Sequence, residues 1–163
     1  MYHFKKYTVG RFTIYESRQK QGDEHRKRFT GSVTPQSQAT LNLYVSGQFE
    51  FAIPAVNFTQ VLEAGQTNRD LTIASFPANE VTIERVLSET ATRLCVSAAG
   101  AMTVATVDLT EGQSYPQAAV GMLVVISGIV VVDGLTNHPG VVREVFAGSS
   151  IQAQTAAKLA IVS

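Results

Sequence analysis

The stretch GMLVVISGIVVVDG, from Gly121 to Gly134, constrains the fold of this 163-residue chain more than any other part of it. Most of its apolar residues are Val or Ile, whose β-branched side chains suit a pleated sheet better than a helix. The dense apolar part, residues 120–132, is too short for a membrane helix, which needs roughly 20 residues. Because Ser127-Gly128 is a turn signal, the stretch predicts two short buried strands, or one long strand bent at Gly128. Both faces are apolar and must be covered, by a second sheet or by another subunit.

A similar pattern occurs earlier in the chain. GSVTPQSQATLNLYVSGQFEF starts at Gly31 and GQSYPQAAVGMLVVISGIVVV starts at Gly112, so that a shift of 81 residues aligns five identical residues without a gap. The match continues with looser spacing, since LEAGQT resembles VFAGSS (145–150) and ATRLCVS resembles AAKLAIV (156–162). These matches predict an internal duplication.

The predicted boundaries follow from the extent of the matches. Copy one spans residues 29–98, copy two spans residues 108–163, and copy one carries an insertion around residues 70–84. Residues 1–28 form a basic N-terminal arm that is partly β. Short alternating segments separated by glycine turns, without an amphipathic helix, predict an antiparallel sandwich or barrel.

The order of these segments resembles that of the cupin superfamily. LYVSGQFEFAI, LEAGQT, FPANEVTIERV and TRLCVS follow one another as the strands of such a jelly roll would, and LVVISGIVVVDG, VFAGSS and AKLAIVS do the same in copy two. The resemblance implies an all-β, antiparallel, cupin-like jelly-roll sandwich in two tandem copies.

The resemblance also implies where metal ligands would lie, and the chain lacks them. The two histidines of the family's first motif fall on Ser37 and Ala39 in copy one, and on Ala118 and Val120 in copy two. The histidine of the second motif falls near Thr82. Because histidines and carboxylates hold the metal in such a site, we expect no metal, no other cofactor and no metal-dependent dioxygenase or isomerase.

Other reactive side chains do not form a catalytic constellation, so we expect no enzyme and no catalytic residue. We expect His25 in a solvated charged loop, His138 in a surface turn and Cys95 in the core. Glu84 and Arg85 are neighbours on a predicted strand and should point to opposite faces. Together with Arg93 they could line a ligand pocket in copy one, although a solvated strand face is the alternative.

Charge is unevenly distributed along the chain. Residues 1–28 hold eight basic and three acidic side chains, a net charge of +5, and the rest of the chain carries −5 because the whole is neutral. A basic arm and an acidic body favour binding to another copy of the chain, which predicts a homo-oligomer. The predicted partner-binding residues are Lys5, Lys6, Arg11, Arg26, Lys27 and Arg28.

Three functions are compatible with these features. The first is a non-enzymatic structural component of a virus particle, such as a phage decoration, tail or adaptor protein. It would form symmetric oligomers and contact other virion proteins, after synthesis in the host cytoplasm. The alternative is a cytoplasmic, metal-free, cupin-like small-molecule-binding protein or isomerase. The third is a nucleic-acid-binding module acting through residues 1–28, which we regard as less favoured; we expect no membrane partner.

Overall fold

The computed structural model describes residues 3–28, 38–67, 80–117 and 119–163. Their regular structure consists of sixteen β-strands and one turn of 3-10 helix at Pro54–Val56, with no α-helix in the described part, which confirms the predicted all-β class. The strands are β1 (His3–Val9), β2 (Phe12–Lys20), β3 (Glu24–Arg28), β4 (Gln38–Ser46), β5 (Gln48–Ile53), β6 (Phe58–Glu63), β7 (Val81–Val86), β8 (Thr90–Ala99), β9 (Val104–Leu109), β10 (Ser114–Pro116), β11 (Gly121–Ser127), β12 (Val130–Val132), β13 (Leu135–Asn137), β14 (Val142–Val145), β15 (Ser150–Ala153) and β16 (Ala157–Val162). Gly31 and most of the predicted insertion lie outside the described residues.

The strands form four four-stranded sheets, and the chain divides into two compact units. The first unit contains Met1–Lys6 and Ile14–Ser97, and the second contains Tyr7–Thr13 and Ala98–Ser163. The sheets have the strand orders β1-β2-β8-β4, β3-β7-β5-β6, β14-β11-β16-β9 and β10-β15-β12-β13. The predicted boundaries at residues 29–98 and 108–163 stay a prediction.

Hydrogen bonds support the duplication, and they support its shift of 81 residues for the strands from Gln38 onward. In the first unit, the Gly65 N–H donates to the Tyr44 carbonyl at 2.7 Å. In the second unit, the Gly140 N–H donates to the Val125 carbonyl at 2.8 Å. Val125 therefore occupies the position of Tyr44, and β11 occupies the position of β4.

The residues predicted as an arm supply strands of the first copy. The Gly22 N–H donates to the Val86 carbonyl at 2.9 Å, and the Gly112 N–H donates to the Ala153 carbonyl at 2.8 Å. Gly22 and Gly112 are thus equivalent, which matches β2 and β3 to β9 and β10 with a shift of 90 residues. Gly112 therefore corresponds to Gly22 and not, as predicted, to Gly31. Seven strands correspond in the same sheet order, with β4, β5, β6, β7 and β8 matching β11, β12, β13, β15 and β16.

Two of the predicted matches have the wrong register. LEAGQ (62–66) corresponds to NHPGV (137–141), not to VFAGSS, because Gly65 and Gly140 make the equivalent hydrogen bond. A Cβ atom on Gly47 would lie 2.8 Å from the Ala91 Cα, and one on Gly128 would lie 2.7 Å from the Ala157 Cα. Ala91 therefore matches Ala157 rather than its neighbour, and the last strands shift by one residue. Short apolar and glycine motifs align equally well in more than one register, so the sequence alone did not determine the register.

The apolar stretch forms the two strands β11 and β12, the first of the two predicted alternatives. Leu123 and Val125 lie in the core of the second unit, whereas Met122 and Val124 point to the other face, and all four are fully buried within the single chain. β11 is therefore covered on both faces within the chain, whereas Val131 of β12 is half-buried. In the described part of the chain there is no helix long and apolar enough to cross a membrane.

Replacing Gly128 by alanine should destabilise the protein more than the same change at Gly112. Both residues have φ of +79°, but a Cβ at Gly128 would lie 2.2 Å from the Ala156 carbonyl oxygen, and one at Gly112 meets nothing within 4 Å. We expect Gly112→Ala to lower the free energy of unfolding by about 1–2 kcal/mol, the cost of a left-handed backbone. Gly128→Ala should cost a further ~1–3 kcal/mol for the clash. Urea unfolding of both variants measures this, and equal losses would contradict the packing argument.

Candidate ligand site in the first copy

Strand pairing identifies the residue that takes the place of Glu84 in the second copy. In the first copy Phe51 lies opposite Glu84, and in the second Val132 lies opposite Ile151. Phe51 and Val132 are equivalent by the 81-residue shift. Glu84 and Ile151 therefore occupy the same interior position.

β8 and β16 contain a further pair of equivalent interior positions. Ala91 matches Ala157, so Arg93 matches Leu159, two residues further along each strand. Arg93, Glu84 and Tyr44 (the polar cluster) thus correspond to Leu159, Ile151 and Val125 (the apolar counterpart). All three members of the apolar counterpart are buried in the core of the second unit.

The polar cluster is held together by two charge-assisted contacts. Arg93 donates from Nη1 to Oε1 of Glu84 at 2.5 Å, and the Tyr44 hydroxyl donates to Oε2 of Glu84 at 2.9 Å. The side chains of Glu84 and Arg93 are only 8% and 15% exposed. A buried carboxylate is tolerated when both of its oxygens are hydrogen-bonded and its charge is paired, and these contacts meet both conditions.

One donor of the cluster has no hydrogen-bond partner in the part of the chain that the structure describes. The Nε atom of Arg93 is buried and makes no hydrogen bond. An unpaired buried donor costs on the order of 1–3 kcal/mol. An acceptor oxygen of a ligand would therefore gain the most binding free energy by accepting a hydrogen bond from Nε of Arg93.

The environment keeps Tyr44 protonated. Burial raises the pKa of the Tyr44 phenol well above its ordinary value of 10.0, and the negative charge of Glu84 together with the hydrogen bond to it raises the pKa further. Tyr44 is therefore a neutral hydrogen-bond donor to Glu84 at any physiological pH.

Polar residues continue on both sides of the cluster along the same strands. Asn42 and Cys95 lie two residues from Tyr44 and Arg93, and so on the same face, and both are half-buried. Their counterparts in the second copy, Leu123 and Ile161, lie opposite each other and are buried. Asn42 and Cys95 therefore keep some exposed surface at a level where the second copy is fully buried.

Strand β2 adds a buried hydroxyl at the level of the cluster. The equivalence of Gly22 and Gly112 gives a shift of 90 residues, which matches Ser17 to Val107. Val107 lies opposite Leu159 and packs against the apolar core, so Ser17 takes the corresponding position opposite Arg93. Ser17 is buried, as is Gln19, which matches Leu109.

The residues present do not fit a metal ion. Glu84 is the carboxylate of this interior, and both of its oxygens are already engaged by Arg93 and Tyr44. A divalent cation there would lie beside a guanidinium, which repels it. Within the described ranges no group of three or more His, Cys, Asp or Glu side chains could hold a metal. Positions 37 and 118, two of the four positions in the first motif, lie outside these ranges.

Arg85 lies apart from the other two predicted pocket residues. It points to the opposite face of β7, as predicted from strand alternation, and contacts Glu24 at 2.7 Å and Glu50 at 3.3 Å. Hydrogen bonds from Arg85 and then Arg26 hold the pKa of Glu24 below its ordinary value. The structure therefore brings Glu84 and Arg93 together and separates Arg85 from them.

The predicted partner-binding residues lie in different surroundings, and their role stays a prediction. Arg11 donates to the carbonyls of Ala99 at 2.8 Å and Ala101 at 2.9 Å, so its guanidinium is used within the chain. Arg26 pairs with Glu24 at 2.7 Å, and the Lys6 ammonium lies 5.3 Å from the centre of the Tyr15 ring. The remaining three, Lys5, Lys27 and Arg28, are exposed.

Two residues differ from their predicted surroundings, and one was missed. His25 lies in strand β3 opposite Glu84, not in a loop, because β3 pairs along its whole length with β7. Cys95 is half-buried on the polar interior face rather than in the core. His138 is exposed beside β13, in agreement with a surface turn.

Tyr44 was not predicted as a site residue. The repeat aligns it with Val125, and this difference between a polar and an apolar residue at equivalent positions could have identified it.

Tyr44 should not ionise while the protein is folded. At about pH 11, where an ordinary phenol is ionised, wild type and Tyr44→Phe should give the same phenolate absorbance. After unfolding in urea they should differ by one phenolate. Since the pKa is raised only in the folded state, Tyr44 lowers the free energy of unfolding as pH rises above about 10. A loss of phenolate absorbance in the folded Tyr44→Phe variant would show that Tyr44 is not protected.

Comparison with known proteins supports the fold. No family model matches the chain, and no curated protein matches it either. Among solved structures, AerE from Microcystis aeruginosa has a TM-score of 0.58 at 9% identity, covering 99% of this chain and 91% of that protein. The nickel(II) complex of the bacterial pirin YhhW from Escherichia coli has a TM-score of 0.57 at 10% identity, covering 99% and 98%. A cupin 2 conserved barrel domain protein from Leptotrichia buccalis has a TM-score of 0.54 at 11% identity, covering 99% and 88%.

The predicted virion component is wrong. The similar structures are cupin-type proteins, and none of them points to a virus particle. One motive for the virion hypothesis, an apolar strand pair in need of an external cover, also fails because β11 is buried on both faces within the chain. The structural matches confirm the resemblance on which the fold was predicted: the protein has a duplicated, cupin-like jelly-roll fold.

Proposed function

We propose that this protein binds a small molecule in the polar interior of its first copy, without a metal ion. The proposal takes up the alternative to the virion hypothesis. The residues that would contact the ligand are Arg93 and the half-buried Asn42 and Cys95. The polar cluster positions Arg93 through Glu84 and Tyr44.

The observation that carries the proposal is the difference between the two copies. The second copy closes the same arrangement of strands around Val125, Ile151 and Leu159, so folding does not require polar side chains at these positions. A buried ion pair is often no more stabilising than well-packed apolar residues of similar size. The polar cluster is therefore better explained by binding than by folding.

We propose binding rather than catalysis. A general base must reach the proton that it removes, and both oxygens of Glu84 are already occupied by Arg93 and Tyr44. Tyr44 retains its proton because burial and Glu84 raise its pKa. These two facts give no support to an isomerase, which would need a group free to accept or donate a proton.

The side chains around Arg93 support metal-free binding in this proposal. The pirin YhhW was solved with nickel(II), and that ion belongs to that protein. In this chain Arg93 supplies the positive charge at the centre of the interior. We therefore propose a site in which hydrogen-bond donors of the Arg93 guanidinium, whose charge Glu84 balances, take the place of a metal ion.

Replacing Arg93 by methionine should abolish binding to the first copy. We suggest screening small neutral, anionic and cationic fragments by saturation-transfer NMR against wild type and Arg93→Met. A subset should bind wild type and lose its signal in the variant, since methionine keeps the length of the side chain but offers no donor. Arg18→Met is a matched control, because Arg18 is an exposed arginine on the opposite face of β2 from the buried Ser17.

Tyr44→Phe provides a milder test should Arg93→Met unfold, since it removes one hydroxyl. It should weaken the same fragments by freeing an oxygen of Glu84 to compete for the guanidinium. If no fragment depends on either residue, the proposal is refuted.

A further inference from the structure

We infer that the ligand of the polar cluster is an uncharged molecule with acceptor oxygens, and that Glu84 is the residue that excludes anions. This inference rests on the proposed function. It adds the chemical class of the ligand and assigns a selectivity role to a residue that would not otherwise contact it.

The charges within the polar cluster cancel. Glu84 and Arg93 carry opposite charges at 2.5 Å, so together they are neutral, and Tyr44 adds no charge because its pKa is raised. A ligand entering this interior therefore meets no net positive charge to compensate an anion. The free-energy cost of dehydration on entry is lower for a neutral ligand than for an anion.

The donor without a partner lies on the same guanidinium that Glu84 contacts. Nη1 of Arg93 is taken by Glu84, and Nε of the same guanidinium is buried without a partner. A ligand oxygen bonded to Nε would lie roughly 6–7 Å from the Glu84 carboxylate, because both bond to one planar group. At that distance a second negative charge is repelled, whereas a carbonyl or hydroxyl oxygen is not.

Further polar residues lie on a neighbouring strand of the first copy. Ser17 and Gln19 are buried, and their equivalence to Val107 and Leu109 of the second copy places a hydroxyl and an amide group at the level of the polar cluster. Such groups donate and accept hydrogen bonds with neutral partners. Carbonyl, amide or polyhydroxyl compounds fit these properties.

Acetamide and acetate provide a direct test, since they have nearly the same shape and differ in charge. The probe signal is the Nε–H resonance of Arg93 in ¹⁵N-labelled protein, assigned by its absence in Arg93→Met. In wild type, acetamide should shift this resonance at concentrations at least about tenfold lower than acetate, at constant ionic strength.

Glu84→Gln should reverse the preference. Glutamine keeps an oxygen for Arg93 and an amide for Tyr44 but removes the negative charge, so that Arg93 is left without a counter-charge. Acetate should then bind at least about tenfold more tightly than to wild type, and Glu84→Gln/Arg93→Met should not bind it. Glu63→Gln, which removes an exposed carboxylate from β6, is the matched control and should behave as wild type.

The outcomes separate the inference from the proposed function. If acetate shifts Arg93 Nε–H in wild type as readily as acetamide does, or if Glu84→Gln gains no affinity for acetate, the selectivity role is overturned. Fragments that depend on Arg93 would still support binding in that case. If Glu84→Gln does not fold, the comparison of the two probes on wild type alone decides the inference.

Discussion

A charge buried in a protein must be paired, and in the first copy of this chain Glu84 is paired with Arg93. The contact at 2.5 Å, completed by the Tyr44 hydroxyl, lets three polar side chains lie where the second copy packs Val125, Ile151 and Leu159. One arrangement of strands thus encloses two different interiors. The second copy stabilises the fold through apolar packing, and the first offers donors and acceptors.

The duplication makes this comparison possible without any other protein. Glu84 and Ile151 hold the same place because Phe51 and Val132 lie opposite them in equivalent strand pairs. Each copy shows which side chains the other could have used. Since the fold tolerates apolar side chains at these positions, the polar ones require an explanation outside folding, and binding of a small neutral molecule supplies one.

Much of the fold could be predicted from local features. β-Branched residues around Gly128, alternation in β5 and β7, and the repeat of Ser-Gly after an apolar strand indicate a duplicated β-structure, because they depend on backbone geometry. The register in which the two copies align could not be predicted from such local features. Motifs such as LEAGQT consist of common turn residues, and only the hydrogen bonds of Gly65 and Gly140 show which segments are equivalent.

The sequence identified two residues of the polar cluster, Glu84 and Arg93, but not Tyr44. Strand alternation correctly separated Glu84 from Arg85, but it could not tell which of them faces the interior. Tyr44 was missed because the apolar residues around it, Leu43 and Val45, predict a core position whatever lies between them. A long-range contact between residues 44 and 84 or 93 has no signature in a single sequence.

The most direct test of the account exchanges the interior of one copy for that of the other. Tyr44→Val, Glu84→Ile and Arg93→Leu together give the first copy the side chains of the second, and Arg93→Leu alone leaves Glu84 buried without its counter-charge. The single change should lower the free energy of unfolding by about 3–5 kcal/mol, and the triple change should recover most of that loss, since no buried charge remains. A triple variant less stable than Arg93→Leu alone would show that the fold itself depends on the polar cluster, and would contradict the account.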